Sequence, residues 1–262
     1  MAREKPKIKA GTVELGEMLG HGLEKAVYEN KNNPDQIIGI YLKGWKRKPE
    51  VTKARYYLTN ILHMLYPKWF YTIHQVGHEQ LYKKGTQKTA NYFIADKMVL
   101  GEDHKRMEEL GYLGDENEKK EIDKRLRSDP QYLDFIQEME RIGMMVGHTT
   151  PGGVESTTGN FSKDPEGNLQ YVDTIDPFFD HGRLVWDELE LAFSPIKLKT
   201  RIMEKLSGHE QVQALAYLDR ILVLKNELQE KLIQEKQKQE IEVNRRNQKN
   251  LEEVRKMRKP KK

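Results

Sequence analysis

The chain has 262 residues, 37% hydrophobic and 33% charged, with a formal net charge of +4, so it can hold one large domain or two lobes plus a long solvated helix or tail. It contains no cysteine, which excludes disulfides, thiolate zinc sites and thiol nucleophiles. No stretch approaches the roughly 18 apolar residues of a membrane span, and the charged N-terminal MAREKPKIKAG lacks a signal-like apolar segment, so a cytoplasmic protein is expected.

In chain order, KAGTVELGEML, EKAVYEN and QIIGIYLK read as an antiparallel meander, the last two joined by the turn signal NKNNPD. Pro49 suits the first turn of a helix carrying Tyr57, Ile61, Leu62 and Leu65 at helical spacing, and Pro67 ends it. YTIHQVG and NYFIADKMV read as two further strands. The polar segment from Gly101 to Asp129 is expected at the surface, with a short helix around EKKEIDKRL. Asp129 and Pro130 cap a helix whose Tyr132, Phe135, Ile136, Met139, Ile142 and Val146 share one face, and that face reads as core. The aromatic residues Tyr56, Tyr57, Trp69, Phe70 and Tyr71 also read as core rather than as a stacking platform.

The next stretch, HTTPGGVESTTGN, is rich in Gly, Ser and Thr and reads as an irregular loop of the kind that carries function. A hairpin with the turn KDPEGN and second strand LQYVD follows. RLVWDELELAF, PIKLKTRIMEKL and everything from about Glu210 read as helices. Six of the last eight residues are basic (Arg255, Lys256, Arg258, Lys259, Lys261 and Lys262), a composition suited to an acidic or nucleic-acid partner or to a solvated end.

Several side chains suit phosphoryl transfer, which needs close backbone approach to phosphates, a cation on them and oxygen donors for magnesium. Gly20 and Gly22, in LGHGLEKAV, allow such an approach, and Val27 would cover a base. Lys43, at the tip of GIYLK, follows Gly20 by 23 residues. Asn160 and Asp173 lie 13 residues apart on either side of the expected hairpin, so its turn brings two oxygen-bearing side chains to one edge. Each also has a plain structural role open to it: glycines in a turn, a solvated lysine, caps made by Asn and Asp.

In order and spacing these elements resemble the protein-kinase superfamily over roughly residues 10 to 180, and most resemble its atypical and small-molecule kinase relatives. The resemblance implies an α+β, two-lobed fold: an antiparallel-sheet lobe with one helix (1–98), a helical lobe with the catalytic-like loop and metal hairpin (99–224), and a charged helical tail (225–262). It implies ATP and Mg2+ as cofactors, Lys43 on the α- and β-phosphates, Asn160 and Asp173 on the metal, and Ala95, Asp96 and Met98 in the hinge against adenine. The family's catalytic aspartate falls on Glu155, five residues before Asn160, and its third loop glycine falls on Lys25. No Asp or Glu occurs from Val51 through Gly77, leaving Glu50 as the nearest acid for Lys43. Asp173 is followed by Thr-Ile rather than Phe-Gly, Asp176 offers a second carboxylate, and no A-P-E-like segment follows. His148 is a further proton acceptor by type. An ATP/Mg-dependent phosphotransferase is the leading expectation; the alternatives are a pseudokinase, acting by nucleotide binding or surface interaction, and a nucleic-acid or ribosome-associated binder using the basic tail.

Overall fold

The computed structural model describes residues 7–8, 13–21, 25–42, 48–83, 86–111, 114–147, 153–179 and 189–257. The fold is mixed α and β. Strands β1 (Lys7–Ile8), β2 (Leu15–His21), β3 (Lys25–Asn30), β4 (Gln36–Tyr41), β5 (Ile73–Lys83) and β6 (Thr86–Asp96) form one antiparallel sheet in the order β1-β5-β6-β4-β3-β2. Five of these strands are the expected ones, and the two-residue β1 adds an edge.

The sheet follows from side-chain alternation. In β3 Ala26, Tyr28 and Asn30 are buried while Lys25, Val27 and Glu29, on the opposite face, are half-buried. Central strand β4 is buried from Ile38 to Tyr41 because it is flanked by β3 and β6. Gly39 lies opposite Phe93, and a Cβ there would sit 2.1 Å from the Phe93 ring, so the aromatic ring takes the space a side chain would need. In the β3–β4 turn, Asn30 Oδ1 accepts from the Asn32 amide (3.1 Å) and Asn33 Oδ1 from the Asp35 amide (3.1 Å), the local bonding expected of NKNNPD.

Helix α1 (Pro49–Leu65) buries Val51, Ala54, Leu58, Ile61, Leu62 and Leu65 and stops before Pro67. Helices α2 (Glu102–Leu110), α3 (Glu116–Arg127) and α4 (Pro130–Arg141) follow. The polar segment thus holds one helix more than expected. Asp129 caps α4 through the Gln131 amide (2.8 Å). Helices α5 (Pro195–Lys205) and α6 (Gly208–Met257) close the described chain.

One expected helix is corrected in part. Residues 180–188 of that region lie outside the described residues, but β12 (Glu190–Leu191) pairs with β11 (Phe178–Phe179), and Ala192 donates to the Pro177 carbonyl (2.9 Å). Tertiary partners claim the backbone groups that a helix would have paired internally.

The main core is shared between residues Val51 to Phe70 and residues from Tyr132 to Leu232, while the sheet strands pack in smaller clusters of their own. At its centre Phe135, fully buried, touches Trp69 (5.3 Å between ring centroids), Phe161 (5.2 Å) and Tyr171 (5.8 Å, stacked). Trp69, Phe70 and Tyr71 therefore serve the core, as their spacing suggested. Helix α6 contributes Ala214, Leu218, Ile221, Leu224, Leu228 and Leu232, a stripe at helical spacing that packs along α1. Lys48 donates to Glu235 (2.6 Å) and Lys231 pairs with Glu50, so charge reinforces the contact. Beyond Leu232 the described side chains of α6 leave the core, with Ile241, Val243 and Leu251 exposed. No helix among the described residues is long and apolar enough to cross a membrane.

Replacing Phe135 by alanine removes the hub of the aromatic cluster and is expected to cost about 3–5 kcal/mol of unfolding free energy in urea titrations. Ile241→Ala, on the exposed part of α6, is expected to change it by less than about 0.5 kcal/mol.

Candidate functional site

The loop after α4 is less irregular than its composition suggested. Strand β7 (Val146–Gly147) pairs in parallel with β8 (Val154–Glu155), and Gly153 donates to the Asp176 carbonyl (2.8 Å). Gly153 has φ +83°, and a Cβ on it would lie 2.3 Å from the Met145 carbonyl oxygen, so this position requires glycine. A 3-10 turn over Thr158–Asn160 then leads into the hairpin of β9 (Phe161–Lys163) and β10 (Leu169–Tyr171).

Hairpin register gathers the site. Phe161 pairs with Tyr171, so the residues just outside the pair, Asn160 and Val172, meet: the Val172 amide donates to the Asn160 carbonyl (2.9 Å). Asp173 is the next residue. The Asn160 side-chain amide donates to the Glu155 carbonyl (3.2 Å) and to Glu155 Oε2 (3.3 Å). The Glu155 amide donates to the Tyr171 hydroxyl (3.2 Å), which ties the loop to the aromatic core. Glu155, Asn160 and Asp173, named from sequence, are therefore brought to one end of the hairpin.

The side chain of Asp173 is 29% exposed and accepts from the Thr174 amide (2.7 Å) and from the Lys25 ammonium. Burial pushes the Asp173 carboxyl up, but the Lys25 charge and hydrogen bond, the Thr174 amide and the Arg55 charge together hold it below its ordinary value. Tyr71, whose hydroxyl donates to the Asp173 carbonyl (3.4 Å), is pushed well above the ordinary phenol value, first by burial.

Asp176 has a different partner. Arg55, on the buried face of α1, donates to Asp176 Oδ1 through Nε (2.5 Å) and through Nη2, with only 2% of its side chain exposed. Its guanidinium carbon lies 4.4 Å from the centre of the Tyr41 ring. Burial alone would lower the Arg55 pKa; the Asp176 carboxylate and Tyr41 raise it further than that, so it stays charged. Between the two carboxylates it is therefore Asp173, the one preferred from sequence, that lacks a buried guanidinium partner.

The remaining expected residues are spread along the sheet. Gly20 pairs with Val27, one strand away from the Lys25 position. Ala95 is fully buried and pairs with both Ile37 and Ile73. Asp96 accepts from His74 Nε2 (2.6 Å, with the histidine as donor) and from the Thr72 amide (3.4 Å), while the Asp96 and Lys97 amides donate to the Thr72 (3.2 Å) and Asp35 (2.8 Å) carbonyls. Met98 packs against the cluster that contains Tyr41, Tyr71 and Phe93 and lines a cavity of about 370 Å³ together with Asp96 and Gln170. Gly22, Lys43 and His148 lie outside the described residues. Glu50, the acid nearest in sequence to Lys43, has its side chain 8% exposed and paired with Lys231 of α6. Burial pushes its carboxyl up, but Lys231, a backbone hydrogen bond and the Lys48 charge together hold it below the ordinary range.

The donor chemistry suits magnesium. The Asn160 amide nitrogen is engaged by Glu155, so its oxygen is the end left for a cation, and Asp173 supplies a carboxylate; magnesium takes one or two such groups and keeps several waters. Among the described residues no three His, Cys, Asp or Glu side chains gather as a metal cluster. No protein-family model matches the chain, and no curated protein matches its sequence.

Lys25, Arg55 and Tyr71 were not singled out as site residues from sequence. Two of them left a trace there: Lys25 stands where a glycine was expected, and Arg55 falls on the apolar stripe of α1 between Val51 and Leu58.

Asp176→Asn removes the charge partner of the buried Arg55 and is expected to cost about 3–5 kcal/mol of stability, most of it regained in the double variant Arg55→Met with Asp176→Leu. Asp173 and Glu50 both have lowered pKa values, so their contribution is complete above the ordinary carboxylate value of about 4 and is lost as pH falls through the lowered values. Melting temperature is expected to hold steady from pH 7 to about 5 and to drop below about 4, with a shallower acid limb in Glu50→Gln.

Proposed function

We propose that the chain is a two-lobed, kinase-like phosphotransferase that binds ATP with magnesium between a sheet lobe (1–98) and a helical lobe (99–224), in a cytoplasmic setting. One observation carries this reading: the paired strands β2 and β3 reach, through Lys25, the hairpin end that holds Asp173, Asn160 and Glu155. A cation above and oxygen donors below define a polar junction suited to a polyphosphate. When bound, magnesium would be held by Asp173 and Asn160 and would supply charge neutralisation on the phosphates.

The chain's own groups then have distinct tasks. Val27, on the Lys25 face of β3, covers the base, with Ala95, Asp96 and Met98 at its edge. Gly20 and Gly22 let the backbone approach the phosphates, and Lys43 adds positive charge. Glu155 orients the acceptor hydroxyl and takes its proton, and the Asn160 amide hydrogen bond fixes its carboxylate. A second reading is nucleotide binding without transfer: a glutamate stands where the family's catalytic aspartate falls, and Glu50, the acid nearest in sequence to Lys43, is paired with Lys231.

Thermal melts with ATP, with and without magnesium, test the binding common to both readings. Specific binding at 100-fold over the dissociation constant adds about 2.7 kcal/mol of stability. The wild type is expected to shift only with both present, and Asp173→Asn and Lys43→Met to lose the shift; a wild type that ATP and magnesium leave unmoved ends the proposal. Phosphate release or transfer from labelled ATP, lost in Glu155→Gln, separates the enzyme from the silent binder.

A further inference from the structure

Lys25 opens β3, the strand that pairs with β2, and its ammonium contacts Asp173 across 148 residues of sequence. Both side chains are partly enclosed, 21% exposed for Lys25 and 29% for Asp173. A lysine that only solvates a sheet surface would leave its ammonium in water; this one turns inward to the carboxylate that the nucleotide reading assigns to magnesium.

Charge pairing isolates this contact. Asp176 is neutralised by Arg55 and Glu50 by Lys231. Magnesium arriving at Asp173 would meet the Lys25 ammonium as a like charge at close range and would displace it. The nearest new anion is then the phosphate chain that arrives with the metal.

Strand geometry gives the direction. Residues two apart on a strand share a face and lie about 6.6–6.8 Å apart. Lys25 and Val27 share the half-buried face of β3, opposite Ala26 and Tyr28, and the Lys25 contact shows that this face looks toward Asp173. A nucleotide with its base under Val27 would therefore extend its phosphates toward Lys25.

We infer that Lys25 is a phosphate-binding residue of the nucleotide site, releasing Asp173 to magnesium and moving onto the phosphate oxygens when ATP binds. The inference rests on the nucleotide reading above and adds to it a cation at the start of β3, independent of Lys43.

Calorimetric titration of the full chain with ATP plus magnesium, and separately with adenosine, tests it in the wild type, Lys25→Met and Lys25→Arg. A charge-assisted hydrogen bond to phosphate predicts that Lys25→Met weakens ATP binding by about tenfold or more, that Lys25→Arg restores most of it, and that adenosine binds all three alike. Retained adenosine binding also certifies that the variants are folded. ATP binding unchanged or tightened in Lys25→Met overturns the inference, since a lysine that merely blocks the metal would be better removed. If wild type binds neither ATP nor adenosine, the nucleotide reading itself fails and the role of Lys25 falls with it.

Discussion

The buried pair of Arg55 and Asp176 is the constraint on which the arrangement of the site depends. It joins α1, which lies between β4 and β5 in the chain, to the segment that follows the β9–β10 hairpin, and it does so where water has little access. A charged pair in such a place is weak evidence of net stability, because desolvation offsets much of the attraction. Its effect is positional. With one guanidinium edge on the Asp176 carboxylate and its plane near the Tyr41 ring, Arg55 permits few placements of α1 relative to residues 173–176.

Two other contacts act in the same direction. Helix α6 lies along α1 and holds its first turn through Glu50 and Lys231, so α1 is fixed from outside as well as from within. The Phe135 aromatic cluster supports the hairpin from below, and the Tyr171 hydroxyl, accepting from the Glu155 amide, transmits that support to the loop. Side chains held on both sides lose little further freedom on binding a ligand, which is the physical content of preorganisation.

The distribution of charge divides the site into a closed part and an open part. Asp176 and Glu50 are paired with cations from helices and belong to the framework. Asp173 is paired with Lys25 at the start of a strand, a partner on a long, flexible side chain. The proposed magnesium site would take over the first partner of this pair and the proposed phosphate site the second.

Local patterns were readable in the sequence because their causes are local. The strands β2 to β6 follow from alternation and turn residues, α1 and α4 from proline and an apolar stripe, and the hairpin from KDPEGN. Its 13-residue span announced that Asn160 and Asp173 would meet, since antiparallel register makes residues flanking a hairpin neighbours. The strand at Glu190–Leu191 was not readable, because its backbone is claimed by partners that its own periodicity does not reveal. Nor were the partners of the charged residues. Lys25 with Asp173, Arg55 with Asp176 and Glu50 with Lys231 are each separated by more than a hundred residues of chain. Sequence by itself determined where the strands, helices and hairpin fall and that Asn160 and Asp173 meet at the hairpin's end. Only the tertiary structure decided which carboxylate pairs with a buried guanidinium and which meets the strand lysine Lys25, because that choice depends on distance through space between elements whose packing no local pattern specifies.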